Sequence, residues 1–147
     1  MPLSHIKVLD LTRFLAGPFC TMLLADMGAE VIKIETPEHG DDARYQGAVV
    51  KGESGYFVGM NRNKKGLTLN LKSPEGKKIF LRLAEKSDVV VENFRPGVMR
   101  SLGLDYETLQ KVNPGIVYCG ISGFGKDGPH ALRPAFDFIA QGISGFM

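Results

Sequence analysis

Tryptophan is absent from the 147 residues, and cysteine is reduced to Cys20 and Cys119. The two lack metal-binding spacing, and so sparse a cysteine content suggests a reducing compartment. Both thiols are expected in the core. Net charge is almost missing as well, at +2, too small to imply nucleic acid or a membrane surface, though it suits a small anionic ligand gathered by a local basic patch. No apolar run approaches the roughly 20 residues of a membrane span. Histidine is scarce too, and His39 has no partner at metal or catalytic spacing, so no chemistry is assigned to it. A strand is expected almost at once after Met1, which leaves no room for a leader peptide, and a soluble cytoplasmic protein is the expectation.

What is present begins with residues 6–35. Ile6-Lys7-Val8-Leu9-Asp10-Leu11 has strand character, and Thr12-Arg13-Phe14-Leu15-Ala16-Gly17 is a tight loop. A helix opened by Pro18 runs to Met27, Gly28 stops it, and Ala29-Glu30-Val31-Ile32-Lys33-Ile34-Glu35 resumes as a strand. Proline suits a first helical turn, whose N–H groups lack carbonyl partners, and glycine suits the left-handed position after the last turn. The N–H groups opening such a helix face the preceding loop and favour an anion there. This loop carries neither G-x-G-x-x-G nor G-K-[ST], so Gly17-Pro18 is open to two readings, an anion cradle or a plain turn.

Alternation of strand and helix continues. Residues 36–44 form a polar connection, either solvated or lining a site, in which Pro37 and Gly40 oppose regular structure. Residues 55–60 suggest a short helix, and Leu67-Thr68-Leu69-Asn70-Leu71 alternates as a strand with its leucines on one face. Arg62, Lys64, Lys65 and Lys72 gather around it, as a solvated face or as a ligand surface. Ser73-Pro74-Glu75 starts a helix, with a capping hydroxyl and an acid near the positive end of its dipole. Asp88-Val89-Val90-Val91-Glu92 has the continuous β-branched character of a strand buried on both faces. Residues 105–112 and 116–121 add a further helix and strand. The pattern implies one α/β domain with a mostly parallel, Rossmann-like sheet and flanking helices. Ligands of such sheets bind beyond the carboxyl ends of the strands, which singles out Asn93, Phe94 and Arg95: an amide, a flat apolar ring and a phosphate-matching fork. A shape-determining turn is the other reading of Asn93 and Pro96-Gly97.

Several fragments, in order, resemble the class III CoA-transferases, which include formyl-CoA transferase and carnitine CoA-transferase. They are Val8-Leu9-Asp10-Leu11 with Ala16-Gly17-Pro18, residues 28–35, Gly40-Asp41, Asn61-Arg62-Asn63-Lys64, Val91-Glu92-Asn93-Phe94 with Pro96-Gly97, and Gly123-Phe124-Gly125 with Gly128-Pro129. They span nearly the whole chain. The resemblance implies covalent catalysis, in which an aspartate attacks an acyl-CoA thioester and CoA passes through an aspartyl thioester to an acceptor carboxylate. It implies coenzyme A, as the acyl-CoA substrate, at Leu15 and Ala16, at Leu69 and the residues up to Lys72, at Asn93, Phe94 and Arg95, and near Pro134 to Asp137. It also implies an interlocked homodimer of the full-length protein.

Two departures bear on the reaction. Leu15 stands where formyl-CoA transferase has glutamine, which counts against a formyl or oxalyl group held by that amide. Phe136, in Ala135-Phe136-Asp137, replaces the histidine base of the related α-methylacyl-CoA racemases, which favours transfer over racemisation. The family nucleophile is expected beyond Met147, so residues 1–147 are expected to be the N-terminal part of a larger domain, inactive alone. Asp137 is then a positioning residue or a helix cap. The overall look, especially Asn61-Arg62-Asn63-Lys64-Lys65 and Tyr118-Cys119-Gly120-Ile121-Ser122-Gly123, is similar to members acting on dicarboxylates such as succinate and glutarate. A racemase-like isomerase and a non-catalytic CoA-binding fragment are the alternatives.

Overall fold

The computed structural model describes residues 1–147. In chain order its elements are β1 (Lys7–Asp10), α1 (Ala16–Asp26), β2 (Glu30–Glu35), a 3-10 turn (Asp42–Tyr45), a hairpin of β3 (Val49–Val50) and β4 (Glu53–Ser54), and α2 (Gly55–Asn61). Then come β5 (Lys64–Thr68), α3 (Pro74–Ala84), β6 (Val89–Glu92), α4 (Val98–Leu102), α5 (Tyr106–Val112), β7 (Val117–Gly120) and α6 (Asp137–Ser144). Five strands form one sheet in the order β5-β2-β1-β6-β7, and every pairing in it is parallel. This is the expected α/β architecture. The order reverses between β1 and β6, whose neighbours in register include Leu9 with Val90 and Asp10 with Val91.

Side chains alternate across the sheet and build two cores. Leu9, Leu11, Ile34, Leu69, Val90 and Ile116 pack with Phe80 and Ala84 of α3, Met99 of α4 and Leu109 of α5 on one face. Val8, Val31 and Val91 pack with Ala25 and Ala29 on the other. Val90 and Val91 are both buried, on opposite faces, as the β-branched run required. The Ser73 hydroxyl accepts from the Gly76 N–H at 3.0 Å, so the predicted cap is in place.

Some boundaries differ from expectation. Helix α1 starts at Ala16, so Pro18 is its third residue, still within the turn that has no use for its missing N–H. Strand β5 lies earlier than the leucine alternation suggested. It uses Lys64 and Lys65, and the chain leaves the sheet after Leu69 because Asn70 opens a turn, its side chain accepting from Lys72 N and its carbonyl from Ser73 N. The polar connection contains a 3-10 turn in spite of its Pro and Gly, held by the Asp41 cap on Ala43 N. Cys20 and Cys119 are free thiols, both half-buried, and Cys119 packs against the second core as expected while Cys20 does not.

Gly76 packs against the Asn70 backbone so closely that any Cβ would overlap the Asn70 carbonyl. The obstacle is main chain, so Gly76→Ala must displace residues 70–76. Destabilisation of about 1–3 kcal/mol is expected in urea titration.

Candidate functional site

In a parallel sheet all strand ends of one polarity share an edge. Here the carboxyl edge carries residues 11–17, 36–45, 69–73 and 93–97, with the reversal between β1 and β6 at its centre. Asn93 joins two of these segments. Its Oδ1 accepts from Arg13 N at 2.8 Å and its Nδ2 donates to Arg13 O at 2.7 Å. The Arg13 guanidinium lies 5.6 Å from the centre of the Phe94 ring. Phe14 is left-handed at φ 64°, and its N–H donates to Asp41 Oδ1 at 3.1 Å.

Beneath the loop is a layer of buried charge. Asp10, fully buried, accepts from Thr12 N (2.9 Å), Thr12 Oγ1 (2.5 Å), Thr21 Oγ1 (2.6 Å) and Lys64 Nζ (2.9 Å). Lys64 also donates to Pro18 O and Asn61 Oδ1, each at 2.9 Å. Burial pulls the Lys64 ammonium below the ordinary lysine range, and the Asp10 charge opposes that pull. Lys33 Nζ donates to Thr12 O at 2.8 Å and sits 2.9 Å from Asp41 Oδ2, which makes no directed hydrogen bond of its own. Arg44 forks onto Glu35 at 2.8 and 3.0 Å and lies 3.8 Å over the Phe57 ring. Of the cations singled out in the sequence, Arg62 pairs with Asp26, Lys64 with Asp10 and Lys65 with Glu30, whereas Lys72 has no ion pair.

Glu92, at the end of β6, accepts from Phe94 N at 2.8 Å and from the Tyr118 hydroxyl at 3.0 Å. Burial raises its carboxyl above the usual glutamate range, against those two hydrogen bonds, and burial with the Glu92 charge pushes the Tyr118 phenol up. A raised folded-state value means that the folded protein binds more protons than the unfolded chain between the two values. Stability from this group therefore falls as pH rises from the ordinary glutamate range through the raised value. Glu92→Gln, which keeps an acceptor for Phe94, is expected to flatten that part of the stability–pH curve measured by denaturant titration.

The sequence-predicted residues do not all face the same way. Leu15 and Ala16 are exposed at the start of α1. Leu69 is buried in the same core that Phe94 packs against, and its N–H is taken by Glu35 O, so its side chain is turned inward. Lys72 and Arg95 are exposed, and Asn93 and Phe94 are half-buried. β5 lies three strand spacings from β6, about 14 Å. Asp137 is in the first turn of α6, but Phe136 is its N-cap without a side-chain bond, so Asp137 is not the cap. Its Oδ2 accepts from Gln141 Nε2 at 2.6 Å. Phe136 meets Phe14 edge-on at 6.1 Å, which carries residues 134–137 to the loop after β1.

Sequence reasoning missed Asp10, Lys33, Asp41, Lys64 and Glu92 as the framework of this edge. Part of the signal was available, since Asp10, Lys33, Lys64 and Glu92 are charged residues within strands, whereas Asp41 lies in the connection after β2. Gly123-Phe124-Gly125-Lys126-Asp127-Gly128, part of the family resemblance, also has the letters of a dinucleotide fingerprint. That stretch comes after β7 but opens no helix, since α6 begins at Asp137, so the phosphate-binding context is missing. An open basic groove lies elsewhere, between α3 and α5, lined in part by Lys77, Lys78, Arg82 and Lys111.

Known proteins share this architecture. Human succinyl-CoA:glutarate CoA-transferase is 50% identical over 147 residues, covering 99% of this chain and 34% of the relative. Acetyl-CoA:oxalate CoA-transferase of Acetobacter aceti is 51% identical over 146 residues, covering 99% of this chain and 38% of the relative. The chain thus spans little more than a third of the length of these relatives. A crystal structure of a CAIB/BAIF family protein from Brucella suis superposes with TM-score 0.94 at 45% identity, over 100% of this chain and 40% of that one. The family description CoA-transferase family III matches residues 3–147, and the chain belongs to that family.

Proposed function

We propose that this chain is the N-terminal, CoA-binding part of a cytoplasmic CoA-transferase that moves CoA from an acyl-CoA to a carboxylic acid, with dicarboxylates as its substrates. The observation that carries the proposal is the double clamp of Asn93 on the Arg13 backbone, which holds two strand-end loops together at the sheet's reversal point. Coenzyme A would lie along this edge, contacting Leu15, Ala16, Lys72, Asn93, Phe94 and Arg95, the backbone of Leu69, and the segment ending in Asp137. The groups suit it: Lys72 and Arg95 are exposed cations for phosphates, Leu15 is an exposed aliphatic side chain for the pantetheine arm, and Phe94 offers a flat ring.

In the proposed reaction an aspartate carboxylate attacks the thioester carbonyl and releases CoA as thiolate, leaving a mixed anhydride. The thiolate attacks the aspartyl carbonyl and frees the donor acid. The acceptor carboxylate then displaces CoA from the aspartyl thioester, and CoA takes the acceptor acyl group from the second anhydride. That aspartate and the family's glycine-rich active-site loop would lie beyond Met147, so residues 1–147 would not turn over alone. The exposed apolar side chains of α6 and of the residues after it, among them Phe138, Ile143 and Phe146, support a covering by further chain or by the second subunit of an interlocked homodimer. Incubating the full-length protein with acyl-CoA and hydroxylamine should convert one aspartate after residue 147 to a hydroxamate, found by peptide mass spectrometry. Modification of Asp137, or of no aspartate, would overturn the proposal.

A further inference from the structure

Cations at the carboxyl edge differ in how far they are committed. Lys33 and Lys64 are buried, each within 2.9 Å of a carboxylate oxygen, and Arg44 is forked onto Glu35 and stacked on Phe57. Arg13 is otherwise. Its side chain is 37% exposed, and its nearest carboxylate, Asp42, stands 3.9 Å away, too far for a hydrogen bond. Asp42 has a nearer contact of its own, His39 Nε2 at 3.1 Å. Yet Arg13 is not loose, because Asn93 holds both its N–H and its carbonyl and the Phe94 ring lies beside its guanidinium. A planar fork with fixed backbone and uncommitted N–H groups is suited to bind a carboxylate in bidentate fashion.

Resting on the transferase reading above, we infer that Arg13 is a specificity-determining residue that receives the second carboxylate of a dicarboxylic acid, the one that does not exchange CoA. Asp42 is the weak partner that the substrate carboxylate replaces. A monocarboxylic acid of equal length would leave the guanidinium as it is and gain nothing from it. Discrimination of about 10- to 100-fold is the size expected for one charge-assisted pair at a partly exposed site.

The test uses the full-length protein with glutarate and pentanoate as acceptors, which differ in one terminal carboxylate. In a ping-pong scheme the acceptor kcat/KM does not depend on the donor half-reaction. Arg13→Gln should lower kcat/KM for glutarate about 50-fold and leave pentanoate within about 3-fold, with Arg13→Lys between, because it keeps the charge and loses the fork. Equal losses on both acceptors, or an effect confined to the KM of the acyl-CoA, would overturn the assignment. Melting curves give a second readout that needs no turnover: glutarate should raise Tm of the unsubstituted protein, raise that of Arg13→Lys less, and fail to raise that of Arg13→Gln. If no acceptor takes up CoA, the transferase reading fails. The assignment of Arg13 fails separately if glutarate stabilises the substituted proteins as much as the original.

Discussion

Replacing Asp10 with alanine is expected to destabilise the protein by about 3–5 kcal/mol, the range seen when one member of a buried ion pair is removed. Asp10 is fully buried, and four donors point at it. Without it the Lys64 ammonium keeps only Pro18 O and the Asn61 amide oxygen, in a place that already disfavours its charge. Thr12 and Thr21 lose acceptors at the same stroke. The loss should appear as a midpoint shift in guanidinium titration and a fall in Tm of roughly 10 °C. Asp10→Ala combined with Lys64→Met should recover part of it, since the orphaned charge goes with the lysine. If the double substitution is as unstable as the sum of the single ones, the two groups are not coupled as the 2.9 Å contact requires.

Asp41→Ala is expected to cost about 3–5 kcal/mol on the same grounds, and it should also weaken CoA binding. Lys33, 3% exposed, would face an empty site. The second consequence belongs to the loop. Asp41 Oδ1 holds both Phe14 N, at 3.1 Å, and Ala43 N, at 3.0 Å, and so ties the segment after β2 to the segment after β1. Phe14 occupies a left-handed conformation that an aromatic residue adopts only under constraint. Freed of its tether it should relax, and the neighbouring Leu15 and Ala16 should lose their fixed position. Calorimetric titration is expected to show CoA affinity lower by about tenfold under conditions where the substituted protein is fully folded. Asp10→Ala, beneath the loop, should affect affinity less. Equal affinity for Asp41→Ala and the unsubstituted protein would separate the loop from CoA.

The fold was legible because its signals are local and repeated. Pro18, Gly28 and the Ser73 cap mark helix ends, and Val89-Val90-Val91 marks a strand covered on both sides. β5 misled because Lys64 and Lys65, poor strand formers on their own, are held there by carboxylates distant in sequence, Asp10 and Glu30. Exposed edge strands owe little to their own alternation. The site was legible as a place, the carboxyl ends of β1 and β6, but not as a set of roles. Asn93 offers donor and acceptor as read, and both are engaged by the Arg13 backbone, a partner 80 residues away that no local pattern announces. Leu69 stood in a segment that looked ligand-facing, and its side chain is turned into the core.

Whether coenzyme A lies along the carboxyl edge is decided by a crystal structure of the full-length protein with the coenzyme bound. Its phosphates are expected within hydrogen-bonding reach of the segment Asn93, Phe94 and Arg95, and its thiol end beside Ala16 at the start of α1. CoA seated instead in the basic groove between α3 and α5, against Lys77, Lys78, Arg82 and Lys111, would contradict that placement.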